Sequence, residues 1–271
     1  MPSLVRTPAV AGRFYPSHPE ELLREIREYA PLPGTGCMPA IGCIAPHAGY
    51  MYSGHVAGAV YSRLEIPEQC IVLCPNHTGR GTRLAVMTTS AWQTPLGEVA
   101  ASPELGSRLL REFSLLKEDS AAHRAEHAIE VQLPFLQARQ KNLHILPITI
   151  GTSDFEVLHG LGEALAEVLG DSHTKSLIVA SSDMNHYESD AVTRVKDRKA
   201  IERILALDAR GLWETVLNEE ISMCGFGPAV VMLTAAKKLR ATSATLVRYA
   251  TSGDISGDRQ RVVGYAGIVV Q

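Results

Sequence analysis

His47 and His77 stand in matching settings. The apolar run Ile41-Gly42-Cys43-Ile44 leads into Ala45-Pro46-His47-Ala48-Gly49, and Cys70-Ile71-Val72-Leu73-Cys74 leads into Pro75-Asn76-His77. A third apolar run, Ser176 to Ala180, leads into Ser181-Ser182-Asp183-Met184-Asn185-His186. Neutral imidazole is the commonest metal ligand, so two histidines delivered in the same way are candidate ligands of one ion. A third donor is needed, and Cys224, ahead of Gly225-Phe226-Gly227-Pro228, supplies it. It lies at the expected start of a helix, where a thiol's pKa falls, and the thiolate is the form that binds metal or attacks carbon. Two histidines and a cysteinate leave coordination positions open, as a catalytic site requires. The set is analogous to the two-histidine, one-carboxylate iron site with sulfur replacing the carboxylate, and the soft thiolate also suits zinc or copper(I).

A second group surrounds these donors. Metal-bound histidines commonly donate their other N–H to a carboxylate, a role open to Asp183 or Glu126. His186 or His127 is a candidate general base on a substrate hydroxyl. Turn and cap hydrogen bonding is the competing explanation for Asp183, His186 and His127. Tyr50, Tyr52 and Ser53 are candidate pocket residues; the Pro- and Gly-rich arm at residues 6–16 is expected to pack as an N-terminal strap, the other reading being that its Arg13 or Tyr15 borders the pocket. His18, His55, His123, His144, His159 and His173 lack such a setting and are expected at the surface or in the core.

The positioning elements alternate. Strands are expected at 41–44, 69–74, 83–89, 143–150, 176–180, 244–250 and 262–270, with a turn and short strand around Trp92 to Val99. Helices are expected at 19–29, 54–64, 103–113, 154–169, in two pieces across 190–219, and at 225–239. The segment 126–140 carries Pro134, which implies a kink or break. Such alternation without a Pro/Ser-rich linker, repeat or charge run argues for one α/β domain over residues 1–271, with a mostly parallel or mixed sheet flanked by helices. In open α/β sheets, ligands bind beyond the carboxyl ends of the strands, where all three histidine-bearing runs terminate.

Composition restricts the partners. The 271 residues are 45% hydrophobic and 20% charged, with a formal charge of -3. No basic field is present to attract nucleic acid or an anionic membrane, so a small molecule or a protein is the expected partner. The longest apolar runs are far short of the roughly 20 residues that span a bilayer. Met1 to Thr7 lacks the charged start and apolar core of a signal peptide, so a cytoplasmic protein is expected. Of the five cysteines, Cys37, Cys43, Cys70 and Cys74 show no ligand-type spacing and read as small buried hydrophobes, without a disulfide framework.

Taken together, Pro46-His47-Ala48-Gly49-Tyr50 with Ser53-Gly54, Pro75-Asn76-His77, Glu126-His127-Ala128-Ile129-Glu130 with Leu133-Pro134, Ser181-Ser182-Asp183 with His186, and Cys224-Gly225 with Pro228 resemble the Memo-like family, labelled protein B of the AmmeMemoRadiSam system. The similarity runs from Gly12-Arg13-Phe14-Tyr15-Pro16 to the last strand. The resemblance implies a fold like that of the LigB-type class III extradiol dioxygenases, which are non-haem iron enzymes. It implies metal binding by His47, His77 and Cys224, with Asp183 and His186 beside the ion. It also implies a radical-SAM enzyme and a small companion domain as partners. The dioxygenases carry a glutamate where this chain offers Cys224, so ring cleavage does not transfer with the fold.

The leading expectation is a redox protein holding iron, ahead of copper or zinc, and acting on a small hydroxylated substrate. In it His186, assisted by Asp183, handles a proton, while Glu126 and His127 support the ligands. The alternatives are a metal- or peptide-binding adaptor without turnover and a hydrolase with Cys224 as nucleophile.

Overall fold

The long apolar runs become strands covered on both faces. The computed structural model describes residues 5–31, 36–172 and 174–271. The chain begins with β1 (Val5–Arg6), α1 (Pro19–Tyr29), β2 (Gly42–Ala45), α2 (Tyr50–Tyr61), β3 (Gln69–Pro75), β4 (Leu84–Val86), β5 (Ala91–Thr94) and β6 (Gly97–Ala101). It continues with α3 (Pro103–Glu112), β7 (Lys117–Glu118), a 3-10 turn at Glu130–Gln132, α4 (Leu133–Gln137), β8 (His144–Ile150), α5 (Phe155–Gly170) and β9 (Ser176–Ser181). Then follow β10 (His186–Glu188), α6 (Asp190–Leu205), α7 (Ala209–Asn218), α8 (Phe226–Lys238), β11 (Ala244–Thr251), α9 (Gly253–Ser256) and β12 (Val262–Val270).

The strands form one mixed sheet in the order β1-β5-β6-β8-β3-β9-β2-β12-β10, with β11 also on β12, and β4 joining β7 to β8. Its centre, β8-β3-β9-β2, is parallel. β12 runs antiparallel to β2. The expected α/β class, a single domain with a mostly parallel centre and flanking helices, is therefore the observed one.

Alternate residues serve opposite layers, as the two-residue period of a strand requires. Ile44, Ile71, Leu73, Ile178 and Ala180 pack with α5 and α8. Cys43, Cys70, Val72, Cys74 and Val179 pack with α1, α2 and α4. Burial on both faces is why these strands read as unbroken apolar runs. It also places Cys43, Cys70 and Cys74 in the core; Cys37, by contrast, accepts from Arg139 Nη2 at 3.2 Å.

Of the boundaries that differ from expectation, two bear on packing. α2 starts at Tyr50, four residues early, because Gly49 closes its first turn by accepting from Tyr52 N (2.8 Å) and Ser53 N (3.1 Å). Gly54, expected at the helix start, lies inside it; a Cβ there would stand 2.6 Å from the Tyr29 ring of α1. Around Trp92 two strands form, β5 and β6 paired as a hairpin through Thr94↔Gly97. Pro134 breaks its segment as expected, sitting in the first turn of α4 where it deprives no carbonyl of a partner.

The arm packs as a strap. Glu130, fully buried, accepts from Ala9 N, Val10 N and Tyr15 Oη and pairs with the Arg6 guanidinium. Among the described residues, no helix is long and apolar enough to cross a membrane. Met1 to Leu4 and His173 lie outside the described residues.

Candidate metal centre

The order β3-β9-β2 explains how the donors meet. The three strands are adjacent and parallel, with Leu73 beside Ala180 and Ala45 beside Ser181. Their carboxyl ends therefore deliver His77, Asp183 and His47 to one edge. Cys224 arrives from the other side, on the loop before α8. That approach requires Gly225, where a Cβ would stand 2.4 Å from the Ser181 carbonyl. Ser182 Oγ accepts the Gly225 N–H at 3.0 Å and pins the loop.

One ligand atom each from His47, His77 and Cys224 falls within 4.8 Å of the others. Cys224 Sγ lies 3.3 Å from His47 Nε2. The imidazole centroids of His47 and His77 are 5.1 Å apart, and His127 stacks on His77 at 4.8 Å. His77, Glu126 and His127 form a second donor cluster sharing His77.

Hydrogen bonding decides which nitrogen each ring presents. Gln132 Nε2 donates to the Pro46 carbonyl (3.0 Å) and to Ser181 Oγ (2.8 Å), and Tyr61 Oη donates to Gln132 Oε1 (2.8 Å). Ser181 Oγ donates its one proton to the Ala128 carbonyl at 2.7 Å. It can only accept from His47 Nδ1, 2.9 Å away, so Nδ1 carries the hydrogen and Nε2 the free lone pair. Glu126 does the same for His77. Its Oε2 accepts the His77 main-chain N–H (2.7 Å) and its Oε1 accepts Nδ1–H (2.9 Å), again leaving Nε2 open. Two imidazoles oriented in this way, beside a sulfur, fit a metal ion.

The electrostatics follow from burial. His47 is only 2% exposed, and burial, followed by the neighbouring His77 and His127, pushes its pKa well below the usual range. Burial opposes charge on His77 too, but the Glu126 hydrogen bond and charge outweigh it and raise its pKa. Glu126 is likewise opposed by burial, yet the His77 contact holds its carboxyl down at about 2. Burial lowers His127.

Three expectations need correction. Cys224 lies ahead of the cap residue Gly225, outside the first turn of α8, and burial pushes its thiol up, with the Asp183 charge adding to it. The lowered thiol pKa expected from a helix start does not arise. Asp183 acts on His186 through charge, without a hydrogen bond between them among the described residues; its Oδ1 accepts from His47 N (2.8 Å) and Ala48 N (3.3 Å) and fixes the His47 loop. His186 is instead held at Nδ1 by the Ser222 carbonyl, 2.9 Å away. Third, Tyr15, Tyr50 and Ser53 turn away from the cavity: Tyr15 to Glu130, Tyr50 to the Val131 carbonyl, and Ser53 to the Ala48 carbonyl.

The donors open into a cavity of about 750 Å³, walled by Phe14, Met51, Tyr52, Tyr187 and Val263, with exposed Arg13 at its edge. His127, Asp183 and His186 also line it. His123 is instead fully buried against Thr149, and His144 is an exposed residue at the start of β8.

The profile of the family described as Memo-like protein matches residues 6–269. The chain belongs to this Memo-like family. A MEMO1 family protein of Methanopyrus kandleri is 44% identical over 277 residues, covering 97% of this chain and 98% of that protein. Another, from Methanothermobacter thermautotrophicus, is 41% identical, covering 97% and 99%. In fold, this Memo-like chain is similar to the crystal structure of an uncharacterised Escherichia coli K12 protein. The TM-score is 0.54 at 13% identity, covering 84% of this chain and 98% of that one.

Proposed function

We propose that the chain is a metal-dependent oxidoreductase that holds one ion, iron ahead of copper or zinc, through His47 Nε2, His77 Nε2 and Cys224 Sγ. The observation that carries this reading is the pair of tethered Nδ1 atoms, which leaves both Nε2 lone pairs free, with one ligand atom of each ring within 4.8 Å of the sulfur. When bound, the ion supplies Lewis acidity and one-electron redox capacity, and it draws off the proton that burial keeps on the thiol.

The protein supplies the rest. Glu126 and Ser181 fix the two rings, and Asp183 anchors the main chain at His47. Phe14, Tyr52 and Tyr187 give a small hydroxylated substrate an aromatic wall to pack against. His186 Nε2, free because Nδ1 is bonded to a carbonyl, accepts a proton from the substrate hydroxyl. Oxygen uptake by iron-loaded protein across a panel of small phenols and alcohols tests this. Turnover with one class, lost in His186→Gln with iron content retained, supports the assignment. Bound iron with no uptake anywhere in the panel favours an adaptor.

The 3.3 Å contact between Cys224 Sγ and His47 Nε2 favours a second reading, a cysteine nucleophile with a histidine base. It leaves the second tethered histidine without a task. Iodoacetamide separates the two: coordination protects Cys224 in the metal-loaded protein, whereas a free nucleophile is alkylated at the same rate with or without metal.

A further inference from the structure

His186 occupies an irregular stretch of chain. Tyr187 has φ of 62°, in the left-handed region, and the pairing of β10 with β12 shifts register between His186 and Glu188. A short bulged strand gives a histidine ring little support of its own. The support comes from Ser222, two residues before Cys224. Ser222 Oγ accepts the His186 main-chain N–H at 2.7 Å, and the Ser222 carbonyl accepts His186 Nδ1–H at 2.9 Å. One residue thus grips both the backbone and the ring of the candidate base.

Ser222 is itself held by a fixed partner. Its N–H and hydroxyl both donate to Asn185 Oδ1, at 3.1 and 3.0 Å. Asn185 is fully buried, and its other polar groups are all engaged. Nδ2 donates to Glu188 (2.7 Å) and Thr193 (3.3 Å), N donates to Asp197 Oδ1 (2.8 Å), and O accepts from Gly264 N (2.9 Å). The amide cannot be flipped, because Glu188 only accepts and the Ser222 N–H only donates.

We infer that Ser222 is a positioning residue: its hydroxyl fixes the His186 main chain so that the ring meets the Ser222 carbonyl, which holds hydrogen on Nδ1 and leaves Nε2 open to the cavity. Its role in the reaction rests on the reading of His186 as the base, but the lock itself does not. Ser222 is exposed and lines the cavity, so truncating its hydroxyl leaves the core intact. Asn185 keeps the Ser222 N–H in that variant, while the grip on the His186 backbone is lost.

The test is 15N-resolved NMR of the histidine rings in metal-free protein at alkaline pH, comparing wild type, Ser222→Ala and Ser222→Thr. Wild type gives a protonated-type Nδ1 and an unprotonated-type Nε2 for His186. Ser222→Ala draws the two resonances towards each other as tautomers exchange, and Ser222→Thr, which retains a hydroxyl, restores their separation. His186 resonances in Ser222→Ala that match wild type overturn the inference. Cobalt(II) titration of the same wild-type sample separates this from the metal reading: absence of a cobalt–thiolate band sinks the metal site while the NMR comparison still decides the lock.

Discussion

Ser181 Oγ lies 2.9 Å from His47 Nδ1 while its own proton is given to the Ala128 carbonyl at 2.7 Å. A serine with no free proton thus determines which face of a histidine is available for coordination, and Gln132, Ala128 and Ser181 act as one unit behind His47.

Ser181→Ala removes the acceptor for two donors and the donor for one carbonyl. Each buried group left without a partner costs about 1–3 kcal/mol, so a loss of at least about 2 kcal/mol in urea denaturation is expected. With the His47 tautomer released, zinc affinity falls by about 10- to 100-fold in competition titrations. Unchanged affinity alongside the stability loss would confine Ser181 to a packing role.

For Glu126→Gln the contact with His77 changes in kind. The amide can accept only through one atom, so the main-chain and ring N–H groups of His77 lose one of their two carboxylate partners. Metal affinity drops by about 10- to 100-fold. Since Glu126 sits near 2 when folded against 4.5 in its ordinary state, its contribution to stability is present above pH 4.5 and fades as pH falls towards 2. The wild-type advantage over Glu126→Gln therefore shrinks on acidification; an advantage constant from pH 7 to pH 3 contradicts this.

Gly225→Ala tests the approach of the Cys224 loop. The added Cβ meets the Ser181 carbonyl at 2.4 Å and Ser182 Cβ at 2.4 Å, both fixed parts of the sheet end. Displacing the loop costs about 1–3 kcal/mol and moves the sulfur. A weakened thiolate-to-cobalt charge-transfer band is the expected signature, and full wild-type intensity argues that the loop has slack.

How far the sequence exposes this site depends on the kind of contact involved. His47, His77 and Asp183 are legible because each lies just past an apolar run, and adjacent parallel strands bring such positions to one edge. Ser181 stands in a matching motif and Gln132 in an apolar run, but neither shows its role there, since their partners come from β2 and the loop after it, α2 and the segment before α4, contacts that no spacing along the chain reveals. A faint signal exists: Gln132 is a lone amide among Ile129, Val131 and Leu133, and a buried amide needs partners. Cys224 is recognisable as a donor, but its acidity depends on burial and on the point where α8 begins. Gly54 reads as a helix boundary because close packing and chain breaking both select glycine.

Asp197, fully buried, accepts from Asn185 N and from Tyr249 Oη (2.7 Å), with Arg194 and Glu188 the other charges acting on it. Burial raises its pKa to about 7 from 3.8. The folded state holds the proton more tightly, so this group's contribution is fully present below about pH 4 and is lost as pH rises through 7, on the order of 4 kcal/mol in all. Asp197→Asn mimics the protonated acid. The variant should gain on wild type in urea midpoint between pH 5 and pH 8, and a difference independent of pH refutes the assignment.

The central claim is a single metal ion held by His47, His77 and Cys224. Elemental analysis of protein purified without oxygen, wild type beside Cys224→Ser, tests it most directly. About one iron or copper per chain in wild type, and a large loss in the variant, is the predicted result. Equal metal content in the two proteins, or none in freshly loaded wild type, would contradict the account.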